Sequence, residues 1–290
     1  MADFQLDFDL ERGTIQRFAY QGVDLVSGGP RPNFWRPPTD NDYGSDMPTR
    51  LGAWREASQD QSVRSVEHWQ NSDRDVEIVV TRDLPSVGSL HTTHYHVFGN
   101  GEIVISASLE LGRIGLPDLP KLGLTLTLPD DLSRVTWLGR GPHESYADRK
   151  TGAPVGLFDA NVADMAHPYI RPQETGHRTD VRWLALAGAD GVGLLAVADS
   201  LMGFSALRHD DEDFDGGPEK SFRHQWDVQT RSHVTLDLDY AQMGVGGDTS
   251  WGARVHPEYR IPALDYAYRV RLVPFGPDGP GPESLSRNRW

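Results

Sequence analysis

Apolar and polar residues alternate with a period of two along much of the chain. The pattern is clearest over residues 4–10, 122–128, 234–240 and 266–272. In the first stretch the apolar positions are Phe4, Leu6, Phe8 and Leu10, and the polar ones between them are Gln5, Asp7 and Asp9. This alternation predicts antiparallel strands with one buried face and one solvated face.

Turn sequences separate these strands. Glu11-Arg12-Gly13 follows the first strand, and Gly99-Asn100-Gly101 lies between two β-rich runs. The 30 glycines and 20 prolines favour many turns over long helices, and we find neither a helical pattern of ten residues nor an internal repeat. The sequence therefore predicts an all-β fold, a large antiparallel sandwich over residues 1–275. Residues 276–290, rich in glycine and proline, are expected to form a flexible tail.

Composition narrows the classes of partner and chemistry. The 290 residues are 38% hydrophobic and 24% charged, enough to form a sizeable core, and their net charge is -14. This charge disfavours nucleic acid and anionic membrane surfaces as partners. The absence of cysteine excludes disulfides, thiolate metal sites and cysteine nucleophiles. No signal peptide or membrane-length apolar run is found, so a cytoplasmic location is expected, with a periplasmic or secreted one left open.

Four motifs are more specific than the strand pattern. Segment I (33–44) reads NFWRPPTDNDYG, segment II (137–149) WLGRGPHESYADR, segment III (169–176) YIRPQETG and segment IV (243–252) MGVGGDTSWG. Their order and spacing resemble those of the C-terminal, small-chain (domain 5-like) domain of β-galactosidases in glycoside hydrolase family 2. The resemblance covers about residues 3–275.

This resemblance implies a super-sandwich similar to galactose mutarotase, packed beside a TIM barrel that carries the two catalytic glutamates. Retaining hydrolysis requires two carboxylates facing one glycosidic bond. The chain alone is therefore expected to be inactive, with no catalytic residue of its own. Its expected partners are the TIM-barrel portion of the same β-galactosidase and a lactose-type β-galactoside. No cofactor or metal is expected in this chain, since the Mg and Na that the family often uses would bind in other domains. The start just before the first family strand favours an excised domain over a natural small subunit.

Trp251 is the predicted substrate-binding residue. In the family, the tryptophan after the Gly-Gly-Asp turn reaches into the barrel pocket as a platform for the aglycone sugar. An indole stacks on the C–H face of a pyranose, while Gly246 and Gly247 allow a tight backbone beneath it. The ring is then expected to be exposed in the isolated chain, whereas the alternative is a core tryptophan on a strand. Supporting or interface roles are predicted for Asp248, Ser250, Asn41, Asp42, Glu144, Arg149 and Glu174.

Three polar groups have competing interpretations. Residues 40–42 offer oxygen ligands for a hard cation, but an Asx-rich turn that bonds its own backbone is favoured. His94 and His96 share a strand face and could hold zinc with a third ligand, although solvent-facing histidines are the default expectation. Residues 210–213 are expected to form a solvated acidic loop.

Two further groups could pass for catalytic machinery, but a buried ion-pair and hydrogen-bond network is favoured for each. They are Glu144, Asp148 and Arg149, and Glu174, His177 and Arg178.

Two other functions stay open at this point. One is a free-standing epimerase of the mutarotase type, in which His177 and Glu174 would act as general acid and base on a sugar ring. The other is a carbohydrate-binding module, in which Trp251 alone would provide binding on the order of -4 kcal/mol at best.

Overall fold

The computed structural model describes residues 3–217, 224–249 and 251–288. Within these ranges, fifteen strands pair antiparallel in one continuous hydrogen-bonded network. The strands are β1 Phe4–Asp9, β2 Thr14–Tyr20, β3 Val23–Val26, β4 Gly28–Asn33, β5 Ser62–Ser72, β6 Asp75–Leu84, β7 Ser89–Phe98, β8 Ile103–Glu110, β9 Lys121–Pro129, β10 Arg134–Arg140, β11 Val155–Asn161, β12 Arg178–Ala187, β13 Gly193–Leu207, β14 His233–Gln242 and β15 Tyr266–Phe275. The predicted all-β antiparallel fold is confirmed.

The sheet curls into two arms that meet at β13. The main order is β1-β2-β4-β9-β14-β13-β15-β8-β7-β6-β5, with β12, β10 and β11 extending from β13 and β3 paired to β2. In β13, residues 193–198 pair with β15 and residues 203–207 pair with β14, while the pairing with β12 runs from Gly193 to Phe204. One long strand therefore belongs to both arms, and their apolar faces enclose a shared core.

The core follows the alternation of the sequence most closely in β9. Leu122, Leu124, Leu126 and Leu128 are all fully buried. In register with β14, Leu126 faces Leu236 and Leu128 faces Val234. Each leucine removed from water in this way contributes roughly 1.5–3 kcal/mol to folding.

Two apolar positions depart from the predicted strand face. Leu10 is 50% exposed because β1 ends at Asp9, whose carboxylate accepts the amides of Glu11 and Arg12 in the turn at 2.9 Å each. Tyr240 is 37% exposed after a register shift in β14, which turns its ring out of the core.

Helices are short. The α-helices are α1 Asp40–Gly44, α2 Met47–Arg50, α3 Gly52–Gln59, α4 Asp211–Phe214 and α5 Pro282–Ser286, and single 3-10 turns occupy Val162–Asp164, Gln225–Asp227 and Pro257–Tyr259. Among the described residues, no helix has the length and apolar character needed to cross a bilayer.

The acidic stretch at residues 210–213 is not the solvated loop that was expected. Asp210 caps α4, and Asp213 is 7% exposed and paired with Arg231 at 2.5 Å. The expected flexible tail carries α5 in its described part. Leu285 of α5 packs on a satellite core cluster, and its carbonyl accepts a 3.0 Å bond from Arg271.

Candidate functional site

The four sequence segments, far apart in the chain, meet around one cavity of about 300 Å³. Each contributes to the lining: Thr39, Asp40 and Asn41 from segment I, Tyr146, Asp148 and Arg149 from segment II, Tyr169, Gln173 and Glu174 from segment III, and Val245 and Gly246 from segment IV. The cavity is the natural candidate site because it unites the most specific parts of the sequence.

Segment I is held by a buried ion pair. Arg36 and Asp42 are 2.6 Å apart, with side chains 0% and 3% exposed. Asp42 also accepts the backbone amide of Thr39 at 2.8 Å, which closes the capping box of α1. Burial opposes the charge on Arg36, but Asp42 holds the pKa of this guanidinium above its ordinary value. Because Arg36 also donates to the carbonyl of Gly244 at 3.2 Å, the ion pair fixes the start of segment IV.

The polar side chains at residues 40–42 are engaged with the protein. Asp40 pairs with Arg171 at 2.5 Å, and Asn41 donates to the carbonyl of Val245 at 3.2 Å. Within the described ranges, no group of three or more His, Cys, Asp or Glu side chains is arranged to hold a metal ion. The observed contacts therefore connect segment I to segments III and IV.

Glu144 joins segments II and III. Its side chain is 8% exposed and accepts the Gly176 amide at 2.9 Å and the Thr175 hydroxyl at 3.1 Å, and it also binds Tyr169 and Arg149. Burial alone would raise the pKa of Glu144. The Gly176 amide, the Tyr169 hydroxyl and the Arg149 guanidinium together hold this pKa below its ordinary value. Glu144 is thus an ionised carboxylate with its acceptor capacity occupied.

Asp148 joins segments II and IV. Its Oδ1 accepts the amide of Val245 at 3.1 Å, and its Oδ2 accepts the amide of Gly246 at 2.7 Å. Sequence reasoning placed Asp148 in an ion-pair network with Glu144 and missed this backbone contact. The closely spaced glycines of segment IV were the available signal, since glycine permits close approach of another group to the backbone.

Trp251 stands at the end of segment IV with 90% of its surface exposed. The alternative of a core tryptophan is therefore wrong. Its amide donates to the Thr249 hydroxyl at 3.3 Å, and Asp248 contacts His256 at 2.8 Å on the exposed side of the loop. Ser250, predicted as a supporting residue, lies outside the described residues.

Two glycines bring the loop against the rest of the site. A Cβ at Gly247 would lie 2.6 Å from the carbonyl oxygen of Ala253, across the loop. Gly252 has φ +129°, and a Cβ there would lie 2.9 Å from the carbonyl oxygen of Gly44 in segment I. The loop is therefore narrow and seated directly on segment I.

A buried polar cluster lies beneath the cavity. Glu174 is 7% exposed; burial raises its pKa to about 7, although Arg36 and Lys121 oppose this shift. Lys121 contacts Asp237 at 2.6 Å and Asp239 at 3.7 Å. Burial also raises the pKa of Asp239 well above its ordinary value. The cluster thus combines the Lys121 ammonium with two carboxyl groups, Glu174 and Asp239, whose pKa values are raised by burial.

His177 and Arg178 contribute structurally to this region. His177 is 2% exposed, stacks on the Tyr146 ring and lies with Nδ1 3.4 Å from Asp239. Burial lowers the pKa of His177 well below its ordinary value, so the imidazole is neutral and buried rather than available to protonate a sugar. Arg178 donates to the backbone carbonyls of Met165, Gly176 and Pro142.

His94 and His96 lie away from the four segments, on β7. His94 contacts Glu77 at 2.6 Å, and His96 lies 3.8 Å from Asp75, both carboxylates being on the paired strand β6. Each histidine therefore faces its own carboxylate across the strand pair, which is not the convergent geometry of a zinc site.

The site lies within the part of the chain that matches a known protein family. A sequence model of the family described as β-galactosidase small chain matches residues 1–272. Curated relatives include β-galactosidases of Priestia megaterium, 36% identical over 261 residues, and of Lactobacillus delbrueckii subsp. bulgaricus, 34% identical over 274 residues. These matches cover 89% and 93% of this chain but 24% and 26% of the relatives. The chain thus spans about a quarter of the length of the curated relatives it matches.

Two solved structures are among those that match the chain. A GalM/aldose epimerase homologue of Caenorhabditis elegans matches with a TM-score of 0.46 and 10% identity, covering 95% of this chain and 96% of that one. The α-N-acetylgalactosaminidase NagBb of Bifidobacterium bifidum matches with a TM-score of 0.47 and 13% identity, covering 95% of this chain and 35% of that one.

Proposed function

Because this chain belongs to the β-galactosidase small-chain family, we propose that it completes the active site of a β-galactosidase by supplying Trp251 as a sugar platform. The substrate is a terminal β-D-galactoside of the lactose type, and Trp251 stacks on the aglycone sugar. The catalytic carboxylates belong to a TIM-barrel portion of the same enzyme, which hydrolyses the bond with retention.

The observation that carries this proposal is the 90% exposure of Trp251 on a loop anchored by the other segments. Leaving a large indole in water is unfavourable, because burying such a side chain contributes several kcal/mol. The loop is anchored, yet it leaves the Trp251 ring exposed. This favours a role in which a ligand or a partner domain covers the ring. An indole provides a flat apolar face for the C–H groups of a pyranose and an N–H for one of its hydroxyls.

The state of the carboxyl groups around the cavity supports a non-catalytic role for the chain itself. A retaining glycosidase needs two carboxyl groups about 5 Å apart that both reach the glycosidic bond. Here Glu144 and Asp148 each accept at least two hydrogen bonds, and Asp40 is paired with Arg171. Glu174 is buried. These engagements favour a supporting role for the acids of the cavity.

Exposed apolar side chains near the cavity support a partner in the rest of the enzyme. Ile170 of segment III is 88% exposed and Trp226 is 79% exposed. The segments that carry these two residues contact each other, because the Gln225 side chain donates to the carbonyl of Tyr169. The curated relatives are about four times as long as the matched region, so their additional domains would supply the covering surface.

The test compares Trp251→Ala and Trp251→Phe in the enzyme reconstituted from this chain and the remaining portion of its parent. Loss of a stacking platform worth about 1–2 kcal/mol should raise the KM for lactose about 5- to 30-fold in the alanine variant. Phenylalanine, which keeps a flat ring, should recover part of this loss. Trp69→Ala is the matched control, because Trp69 is 41% exposed on β5, outside the four segments. Equal KM values for Trp251→Ala and Trp69→Ala would refute the platform.

A further inference from the structure

We propose that Asp148 is the positioning residue of the site, holding the Trp251 loop through its two backbone amide contacts. This inference rests on the proposed function, since it assigns to Asp148 an effect on sugar binding exerted through Trp251. Asp148 itself would not touch the reacting atoms.

Both carboxylate oxygens of Asp148 are committed to the loop. Oδ1 accepts from Val245 at 3.1 Å and Oδ2 from Gly246 at 2.7 Å, and the two donors are consecutive amides. A carboxylate is the only side chain of this length with two acceptor oxygens, because asparagine replaces one of them with an NH₂ donor. The pair of bonds therefore fixes the direction of the backbone just where the loop leaves the site.

The loop backbone is shaped to receive this carboxylate. A Cβ on Gly244 would lie 2.6 Å from the Asp148 carboxyl carbon, and one on Gly246 would lie 3.1 Å from Oδ2. Any side chain at Gly244 would therefore push the carboxylate away from the amides. The Asp148 carboxylate therefore fits against the backbone only because residues 244 and 246 are glycines.

Further contacts fix the loop backbone between the Asp148 contacts and Trp251. Asn41 donates to the carbonyl of Val245 at 3.2 Å, and this carbonyl belongs to the same peptide group as the Gly246 amide that Asp148 accepts. Gly247 lies against Ala253, which closes the base of the loop, and Gly252 lies against the Gly44 carbonyl. Only a few residues therefore separate the backbone amides held by Asp148 from Trp251, and contacts of Gly247 and Gly252 hold the loop on both sides of the indole.

Asp148 and Glu144, both in segment II, have different partners. Glu144 binds segment III, through the amide of Gly176 and the hydroxyl of Thr175. Asp148 binds segment IV. Two acids four residues apart therefore hold two different segments, and a change in Asp148 should affect the Trp251 loop specifically.

The test is Asp148→Asn in the reconstituted enzyme, measured alone and combined with Trp251→Ala. We expect Asp148→Asn to raise the KM for lactose about three- to tenfold, less than removal of the ring, with kcat changed less than about twofold. In the Trp251→Ala background it should add less than about twofold, because the two residues act in one unit. In the isolated chain, amide hydrogen exchange at Val245 and Gly246 should become at least about tenfold faster.

Asp9→Asn is the matched control. Asp9 also accepts two backbone amides, those of Glu11 and Arg12, but through Oδ1 alone, which asparagine keeps. It lies in the turn after β1, so the substitution should leave the KM for lactose unchanged. If Asp148→Asn prevents folding, Asn41→Ala removes the contact to the Val245 carbonyl of the same peptide group and should raise the KM in the same direction.

The outcomes distinguish this inference from the proposed function. If Trp251→Ala leaves the KM unchanged, the platform and the positioning role both fail. If Trp251→Ala raises the KM and Asp148→Asn does not, only the positioning role fails. If Asp148→Asn lowers kcat equally in both backgrounds, its role is structural and the inference is overturned.

Discussion

Glu174→Gln should change how the stability of the chain depends on pH. The wild-type carboxyl is buried beneath the cavity, and burial raises its pKa from an ordinary 4.5 to about 7 against the opposing influence of Arg36 and Lys121. Between these values the folded chain keeps the proton while the unfolded chain releases it. The stabilising effect of Glu174 is therefore fully present below pH 4.5 and is lost as pH rises through about 7.

The size of the effect follows from this difference in pKa. Between pH 5 and pH 8, proton release from the unfolded state should cost the wild type between about 2 and 3 kcal/mol of unfolding free energy. Glutamine has a similar shape and cannot ionise, so the variant should lack this loss. Relative to wild type, Glu174→Gln should become more stable as pH rises, by about the same amount.

Urea unfolding at pH 5, 6, 7 and 8 measures this directly, provided that the m-values of the two proteins agree. The Asp211 and Asp239 carboxyls titrate in both proteins, so the difference between them reports mainly on Glu174. Glu67→Gln, at an exposed position on β5, is the matched control for the exchange of glutamate for glutamine. A constant difference for Glu174→Gln would refute the argument.

Two further predictions concern buried polar groups. Asp42→Asn leaves the Arg36 guanidinium buried without its counter-charge, so it should cost about 3–5 kcal/mol in urea unfolding; a loss below about 1 kcal/mol would contradict this. His91 is fully buried and burial lowers its pKa to about 3, so the wild type should lose stability as pH falls from 6.5 toward 3. His91→Gln should show a smaller loss over that range than the wild type, and equal acid sensitivity of the two proteins would count against this assignment.

Alternation of apolar residues was sufficient to predict β1, β9, β14 and β15, because it reports directly on which face meets the core. Leu122, Leu124, Leu126 and Leu128 of β9 occupy the predicted positions. The turns at residues 11–13 and 99–101 were also predicted correctly, since glycine there is required for a local reason. These features depend on neighbours close in sequence.

Alternation gave a wrong prediction of solvent exposure where both faces of a strand are covered. On β14, the polar positions opposite the leucines belong to a face that the pattern predicts to be solvated. Asp237 and Asp239 are instead 2% and 0% exposed, beside Lys121. The sequence pattern identifies one buried face, but it does not show that other segments cover the second face.

The motifs of the candidate site were visible in the sequence, but their contacts with one another were not. Asp148 lies almost a hundred residues from Val245 and Gly246, and only the fold brings them together. Arg36 and Gly244 are separated by 208 residues. Hydrogen bonds to a distant part of the backbone produce no periodic pattern in the sequence. The role of Asp148 could therefore be inferred only from the structure.

In the proposed function, this chain completes a β-galactosidase active site whose catalytic carboxylates lie elsewhere in the enzyme. The most direct measurement is turnover of a chromogenic β-D-galactoside by the purified chain, with and without the remaining portion of the parent enzyme. We predict no turnover by the chain alone and hydrolysis when the two portions are combined. Turnover by the chain alone, at a rate that follows its concentration through purification, would contradict the claim.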